Sequence, residues 1–190
     1  MTRSTYIVGA PGSGKSTLMA ELLAGWQPGP YTKWTAKEMF GHSLTKDTRH
    51  HPWNEFCVLC RSGNHRCLTG AYLGRLRPEY PGTDALSLSV APQALKWLEA
   101  VPMLGLDHIF GEGVRLSHIS FLRALAEVSD LTVIYLSISP ELAAARREQR
   151  GGKMISDRWV KVASGRVPVL VAACREAGIR VDERPQDSLL

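Results

Sequence analysis

Residues 9–17, Gly-Ala-Pro-Gly-Ser-Gly-Lys-Ser-Thr, decide the fold of this 190-residue chain. The pattern G-x-x-x-x-G-K-[ST], which is typical of a loop that binds phosphates, begins at Gly9 and ends at Ser16. Residues 5–8 before the loop predict a buried strand, and residues 16–24 after it predict a helix with leucines on one face. A strand, a glycine-rich loop and a helix in this order form the context in which the pattern indicates a nucleotide site.

The loop is expected to bind a triphosphate mainly through its backbone. Glycines have no Cβ atom, so consecutive N–H groups can point at phosphate oxygens, and the following helix adds the positive end of its dipole. Lys15 is expected to reach the β- and γ-phosphates as a catalytic group, and Ser16 is the predicted Mg²⁺ ligand. The predicted ATP-binding residues of the loop are Gly9, Ala10, Pro11, Gly12, Ser13, Gly14, Lys15, Ser16 and Thr17. The acceptor stays open, because kinases, NTPases and switches share this loop.

Composition indicates one soluble globular domain over residues 1–190, with 44% hydrophobic and 22% charged residues. No run of 18 apolar residues occurs and the chain enters a predicted strand within a few residues, so we expect neither a membrane helix nor a signal peptide. The expected location is the cytoplasm, where the four cysteines would be reduced or metal-bound.

The net charge of +5 favours a polyanionic partner such as nucleic acid. Residues 140–180 hold nine Lys/Arg against four acids, and residues 31–80 hold eight against four. An ordinary basic surface together with ATP-binding arginines is the alternative interpretation.

Alternating strands and helices predict an α/β domain with about five parallel strands flanked by helices. Strands are predicted near 5–8, 31–35, 107–110, 131–137 and 178–182, and helices near 15–25, 92–100, 116–128, 140–150 and up to about 177. Residues 40–90 break this alternation and are rich in Gly, Pro, His, Arg and Cys. We interpret them as an irregular insert that forms part of the acceptor site.

Two acidic residues are candidate catalytic bases. Glu112 follows an apolar run, so it is expected at the carboxyl edge of the sheet, where it can hold Mg²⁺ through water or take the acceptor proton. Arg115 follows closely and is a candidate ligand of the acceptor or of a phosphate. Asp84, after Gly82-Thr83, is the second candidate base. The alternatives are a solvated loop residue for Glu112 and a turn-capping residue for Asp84.

The run Arg146-Arg147-Glu148-Gln149-Arg150 precedes two glycines, 151 and 152. Arg146 and Arg150 lie on one helix face, and the glycine pair offers a hinge. Residues 146–166 therefore predict a lid in which Arg146 and Arg150 are catalytic and Arg146 and Arg147 bind ATP phosphates. A basic helix end that interacts with its own dipole is the alternative.

Two further patterns indicate possible ligands. Cys57, Cys60, His65 and Cys67 have partly the spacing of a zinc knuckle and predict a possible Zn²⁺ site; ordinary buried cysteines are the alternative. Trp159 lies among Arg158, Lys161 and Arg166, which suits an extruded base stacked on an indole; a core tryptophan is the alternative.

Together these motifs resemble the bacteriophage P-loop nucleotide kinases, and among them the 5-hydroxymethyluracil DNA kinases. The resemblance runs from residue 4 to about 180. It rests on the phosphate loop, Gly82-Thr83-Asp84-Ala85-Leu86-Ser87 with Pro92, Glu112-Gly113-x-Arg115-Leu116, Arg146-Arg147-x-x-Arg150-Gly151 and Trp159-Val160-Lys161. This chain differs in having three residues, 162–164, between the last motif and Gly165-Arg166.

The resemblance implies a thymidylate-kinase-like core that transfers the ATP γ-phosphate to the hydroxymethyl group of 5-hydroxymethyluracil in phage DNA. The partners would be ATP with Mg²⁺ and DNA containing a modified pyrimidine, without a membrane, and the location would be the host-cell cytoplasm. The loop would bind ATP, Glu112 and Asp84 would lie at the acceptor, and the arginines would form the lid. A kinase of free nucleotides and a nucleic-acid-binding P-loop ATPase are the alternatives.

Overall fold

The computed structural model describes residues 1–28, 57–62, 67–74, 82–86, 90–149 and 156–186. Within these residues the chain forms one mixed sheet with the strand order β2-β3-β4-β5-β1-β6-β7. The strands are β1 Arg3–Gly9, β2 Gln27–Pro28, β3 Cys57–Ser62, β4 Cys67–Leu73, β5 His108–Glu112, β6 Asp130–Ser137 and β7 Arg180–Pro185.

Five adjacent strands, β4, β5, β1, β6 and β7, are parallel to one another. The predicted α/β class with about five parallel strands is therefore confirmed. Strand β1 lies at the centre of the five and pairs with β5 on one side and β6 on the other. The carboxyl ends of parallel strands share one edge, so the residues after β1 and β5 meet there.

The helices among the described residues are α1 Lys15–Leu22, α2 Ala91–Leu104, α3 Ile119–Val128, α4 Pro140–Gln149 and α5 Asp157–Glu176. Their ends follow local signals. Gly105 in the left-handed conformation ends α2, and the Ser156 hydroxyl accepts a hydrogen bond from Trp159 N at the start of α5. No helix of these described segments is long and apolar enough to cross a membrane.

Two hydrophobic cores cover the two faces of the sheet. Tyr6 and Val8 of β1 pack in the larger core, to which α2, α3 and α5 contribute buried side chains. Ile7, between them in sequence, packs on the opposite face with Met19 of α1. Successive side chains of a strand point to opposite faces, so the apolar part of β1, Tyr6 to Val8, is buried on both sides.

Strands β3 and β4 differ from the sequence prediction, which treated residues 40–90 as irregular. β3 pairs with β4 in antiparallel register, and β4 continues the parallel sheet by pairing with β5. The segment thus supplies one of the five parallel strands. The strand predicted at residues 31–35 lies outside the described residues.

Candidate active site

The phosphate loop connects the end of β1 to the start of α1, as its sequence predicts. Gly12 and Gly14 have φ angles of 93° and 89°, which side chains with a Cβ rarely adopt. Gly14 is the N-cap of α1 and provides no side-chain hydrogen bond to the first helical turn. Ser13 Oγ is buried and has no hydrogen-bond partner among the described residues. A helix start without a side-chain cap, next to an unpaired hydroxyl, suits a phosphate chain.

Lys15 lies along this loop. Its Nζ donates hydrogen bonds to Gly9 O and Ala10 O, both at 2.9 Å. The ammonium group is therefore held against the backbone of the phosphate loop. In a complex with a triphosphate it would bind the γ-phosphate instead of these carbonyl oxygens or in addition to them.

Glu112 ends β5 and is 3% exposed. Its Oε2 accepts a hydrogen bond from Ser16 Oγ at 3.1 Å, and its Oε1 accepts one from Tyr72 OH at 3.0 Å. The structure thus brings the predicted metal ligand and the predicted strand-end acid into direct contact. Tyr72, on β4, completes this trio and was not singled out from the sequence.

Burial raises the pKa of Glu112, and the hydrogen bonds from Tyr72 and Ser16 together with the charge of Lys15 partly oppose this rise. The charge of Asp84 adds to the rise. A cation close to this carboxyl group favours its charged form, as the charge of Lys15 does.

Asp84 lies beside Glu112, so the structure brings the two candidate bases together. A Cβ atom on Gly82 would lie 2.7 Å from Glu112 Cγ, so the backbone at Gly82 packs closely against Glu112. Asp84 Oδ1 accepts a hydrogen bond from Val114 N at 2.6 Å and so fixes the loop that follows β5. Tyr6 OH donates to Gly113 O at 3.1 Å in the same loop.

The predicted arginines of α4 lie against the phosphate loop. Arg147 donates from one guanidinium nitrogen to Pro11 O at 3.0 Å. A guanidinium nitrogen of Arg146 lies 4.0 Å from where a Cβ atom on Gly14 would stand. Arg150 and the glycines at 151 and 152 lie outside the described residues, as does the part of the predicted lid that they form.

A cavity of about 460 Å³ opens beside the loop, on the face of the sheet that carries α3 and α5. Lys15, Arg115 and Arg166 are its three cations, and no carboxylate belongs to its described lining. The remaining lining residues are Val8, Gly9, Gly113, Val114, Ser117, His118, Ala163, Val167 and Leu170. A space of this size with an apolar wall and a few convergent polar groups is typical of a small-molecule site.

The site has the groups that a Mg²⁺–nucleotide complex needs. The Ser16 hydroxyl at the start of α1 and the Glu112 carboxyl group at the end of β5 meet, and both offer oxygen atoms of the kind that Mg²⁺ prefers. The predicted zinc site cannot be traced in the same way, because His65 lies outside the described residues. Cys57 and Cys60 belong to β3 and Cys67 to β4. Within the described segments no three His, Cys, Asp or Glu residues are grouped to hold a metal ion.

The sequence matches the family described as P-loop Nucleotide Kinase3 over residues 1–181. The chain belongs to this family. Membership agrees with the loop, the strand-end acid and the parallel sheet, and it assigns kinase-type phosphoryl transfer with ATP and Mg²⁺ to this P-loop nucleotide kinase.

An unliganded sugar kinase from Janibacter sp. HTCC2649 is similar at 13% sequence identity and a TM-score of 0.45, over 97% of this chain and 86% of that one. No curated protein matches this P-loop nucleotide kinase.

Proposed function

We propose that this P-loop nucleotide kinase transfers the γ-phosphate of ATP to the hydroxymethyl group of 5-hydroxymethyluracil in DNA. The observation that carries the proposal is the cationic cavity beside Lys15. One wall of this cavity is α5, and the same helix also exposes a tryptophan among basic residues. The location proposed for this activity is the host-cell cytoplasm, and we take residues 1–190 as one kinase domain with a lid at 146–166.

In the proposed reaction the hydroxymethyl oxygen attacks the γ-phosphorus in line with the bond to the β–γ bridging oxygen. The new O–P bond forms as the old one breaks, ADP leaves, and the hydroxyl proton passes to a carboxylate. Lys15 and the arginines of α4 neutralise the charge of the transferring group, and Mg²⁺, when bound, supplies further neutralisation. Positioning accounts for the rest of the catalysis.

Glu112 and Asp84 have different surroundings, which supports a division of roles between them. Both Glu112 oxygens accept hydrogen bonds, and one of these comes from the proposed Mg²⁺ ligand Ser16. Glu112 is therefore the better candidate to position the metal. Asp84 is less buried and has one oxygen bound to Val114 N, so its other oxygen is the better candidate to take the acceptor proton.

The surface of α5 supports a polynucleotide acceptor. Trp159 has 42% of its surface exposed, which disfavours the alternative of a core tryptophan. Arg158 and Lys161 flank it and are exposed. Arg166 lies seven residues further along the helix, about two turns from Trp159 and on the same side, and it lines the cavity. An indole among cations is a surface on which a base can stack while its phosphates are bound.

A kinase of free nucleotides is the second candidate. The size of the cavity favours it, since 460 Å³ suits a single small molecule. Incubation with γ-labelled ATP and either modified DNA or the matching mononucleotide separates the two functions. Label in DNA supports the proposal, whereas label only in the mononucleotide replaces it with the second candidate. Phosphate release without a labelled acceptor would instead indicate a nucleic-acid-binding ATPase.

A zinc ion on Cys57, Cys60, His65 and Cys67 remains a separate proposal, supported by the partial knuckle spacing. Metal analysis of the purified protein and of its Cys57→Ser variant tests it. Stoichiometric zinc that is lost in the variant supports the site, and an equal metal content in both proteins removes it.

A further inference from the structure

We propose that the buried hydroxyl of Tyr6 is a positioning group for the acceptor reaction, because it fixes Asp84 relative to the strand that leads into the phosphate loop. The inference rests on the proposed function, in which Asp84 takes the proton of the acceptor. Tyr6 lies on β1, three residues before Gly9, and is 0% exposed. A side chain this deeply buried does not touch a substrate, so it acts through the residues that it binds.

Three hydrogen bonds around this hydroxyl close a ring. Tyr6 OH donates to Gly113 O at 3.1 Å. Val114 N donates to Asp84 Oδ1 at 2.6 Å. The hydroxyl oxygens of Tyr6 and Thr83 lie 3.4 Å apart, and Thr83 donates because the single Tyr6 proton goes to the carbonyl group. Peptide bonds join residues 113 and 114 and residues 83 and 84, so the hydrogen-bond ring links β1, the loop between β5 and α3, and the short turn that carries Asp84.

Two glycines allow these segments to approach one another. A Cβ atom on Gly111 would lie 2.5 Å from the aromatic ring of Tyr6, so this side chain crosses β5 at a position that has no side chain of its own. A Cβ atom on Gly113 would lie 2.7 Å from Thr83 Oγ1 and 3.0 Å from Asp84 Oδ1. The turn and the loop are thus in direct contact. Because closely packed groups transmit displacements, a shift of the loop moves the Asp84 carboxyl group with it.

The surroundings keep the Tyr6 hydroxyl protonated. Burial raises the pKa of Tyr6, and the hydrogen bond with Thr83 opposes this rise in part. The charges of Asp84 and Glu112 add to the rise. Without the hydroxyl, Gly113 O and Thr83 Oγ1 would both lose a partner in the interior, and unpaired buried groups are unfavourable. The loop and the turn would then move to find other partners.

The same strand fixes the donor side of the reaction. β1 ends at Gly9, where the phosphate loop begins, and Lys15 Nζ donates to Gly9 O at 2.9 Å. Through Tyr6, β1 therefore holds the proposed base as well as the loop for the transferring phosphate. A base must lie within hydrogen-bond reach of the proton that it accepts, and a misplacement of about 1 Å can lower the rate about 100-fold. The role of Tyr6 is to prevent such a misplacement.

The test begins with variants that remove one hydroxyl each. Tyr6→Phe keeps the aromatic ring over Gly111 and its edge-to-face contact with Phe121, and it removes only the donor to Gly113 O. Thr83→Val removes the second hydroxyl of the hydrogen-bond ring, whereas Thr83→Ser keeps that hydroxyl and loses only a methyl group.

Ser4→Ala is the matched control. Ser4 also lies on β1 and is 2% exposed, and its hydroxyl forms a buried hydrogen bond with Ser129 Oγ at 2.7 Å. It lies near the amino end of the strand, away from the phosphate loop. Ser4→Ala thus removes a buried hydroxyl from the same strand and leaves the hydrogen-bond ring in place.

Steady-state kinetics use ATP with a 5-hydroxymethyluracil oligonucleotide and with 5-hydroxymethyl-2′-deoxyuridine 5′-monophosphate. We expect Tyr6→Phe and Thr83→Val to lower kcat about 10- to 100-fold with the acceptor that the wild type phosphorylates, while Thr83→Ser keeps the wild-type kcat and the KM of ATP is unchanged throughout. In an Asp84→Asn background, Tyr6→Phe should lower kcat less than about twofold further, because the carboxylate through which it acts is already absent. Equal losses in both backgrounds, an equal loss in Ser4→Ala, or no loss overturns the inference.

Hydrogen exchange at the Val114 amide separates this inference from the proposed function, because it needs no acceptor. The Val114 N–H donates to Asp84, so its exchange rate, measured relative to the amides of β1, reports how often this bond opens. We expect the rate to rise about 10-fold in Tyr6→Phe and Thr83→Val but not in Ser4→Ala. A rise without phosphorylation of DNA supports the positioning role and removes only the DNA acceptor. An unchanged rate overturns the role even if DNA is phosphorylated.

Discussion

Ser16 Oγ donates a hydrogen bond to Glu112 Oε2 at 3.1 Å, across 96 positions of sequence. This contact joins the first turn of α1 to the end of β5, so the proposed Mg²⁺ site depends on both elements. Tyr72 holds the other oxygen of the same carboxylate from β4. Three segments of the chain therefore determine where this carboxyl group lies.

Glu112→Gln should change the pH dependence of stability. Burial raises the pKa of Glu112 in the folded protein, so above the unfolded pKa of about 4.3 the unfolded chain holds fewer protons at this residue. The free energy of unfolding of the wild type therefore falls as pH rises through the folded pKa. The variant has no carboxyl group here, so its free energy of unfolding does not fall for this reason. Without Mg²⁺, the melting temperature of the variant minus that of the wild type should be more positive at pH 8 than at pH 4. A difference that becomes more negative contradicts the raised pKa.

Tyr72→Phe should move the acid limb of the pH–rate profile to higher pH. The hydroxyl of Tyr72 donates to the Glu112 carboxylate and lowers its pKa, so its removal raises that pKa and makes the carboxylate scarcer at a given pH. Tyr6→Phe is the control, since Tyr6 OH is equally buried but donates to Gly113 O. An equal shift in both variants would show that the effect does not pass through Glu112.

Gly82→Ala should destabilise the protein more than Gly105→Ala. Gly105 has left-handed helical angles (φ 61°, ψ 30°), where alanine costs about 1–2 kcal/mol, whereas Gly82 (φ 68°, ψ −147°) has angles that are essentially restricted to glycine and cost up to about 3 kcal/mol. At Gly82 the new Cβ would also lie 2.7 Å from Glu112 Cγ and Glu112 O, whereas nothing lies within 4 Å at Gly105. Urea denaturation measures both free energies of unfolding. Equal losses would mean that neither the backbone angles of Gly82 nor its close packing against Glu112 adds to the cost.

Trp159→Ala should weaken the use of an oligonucleotide acceptor and spare the mononucleotide. Stacking of a base on an aromatic side chain contributes about 1–3 kcal/mol, so the KM for the oligonucleotide should rise about 5- to 150-fold. Met103→Ala is the control, because Met103 is exposed on α2 and is not among the residues that line the cavity. A similar rise for both acceptors would assign Trp159 to the folding of α5 instead.

The parts of the fold that the sequence predicts are those with a local signal. The glycine loop, the apolar run of β6 and the helix starts at Lys15 and Pro140 depend on neighbouring residues, and the structure places them within a few positions of the prediction. Strands β3 and β4 lack alternating polar and apolar residues, and their pairing comes from long-range contacts.

The candidate site divides in the same way. Glu112 ends an apolar strand, and the phosphate loop follows the neighbouring strand. The sequence therefore predicts that Glu112 and Ser16 lie close together. The contact between Tyr72 and Glu112 depends on the register of two strands, Leu73 opposite Gly111, which no short pattern contains. That Arg115 Nε and His118 Nε2 have no hydrogen-bond partner among the described residues likewise cannot be read from a short pattern.

The alternation of Tyr6, Ile7 and Val8 has a consequence for how such an enzyme can diverge. Neighbouring residues of a single strand support opposite sides of the molecule, one with α1 and the proposed metal ligands and the other with α5 and the cavity. Substitutions on α5 therefore remodel one side without disturbing the carboxylate and hydroxyl on the other. If the cavity holds the acceptor as proposed, substitutions on one helix can change the acceptor while the residues around the phosphate loop stay the same.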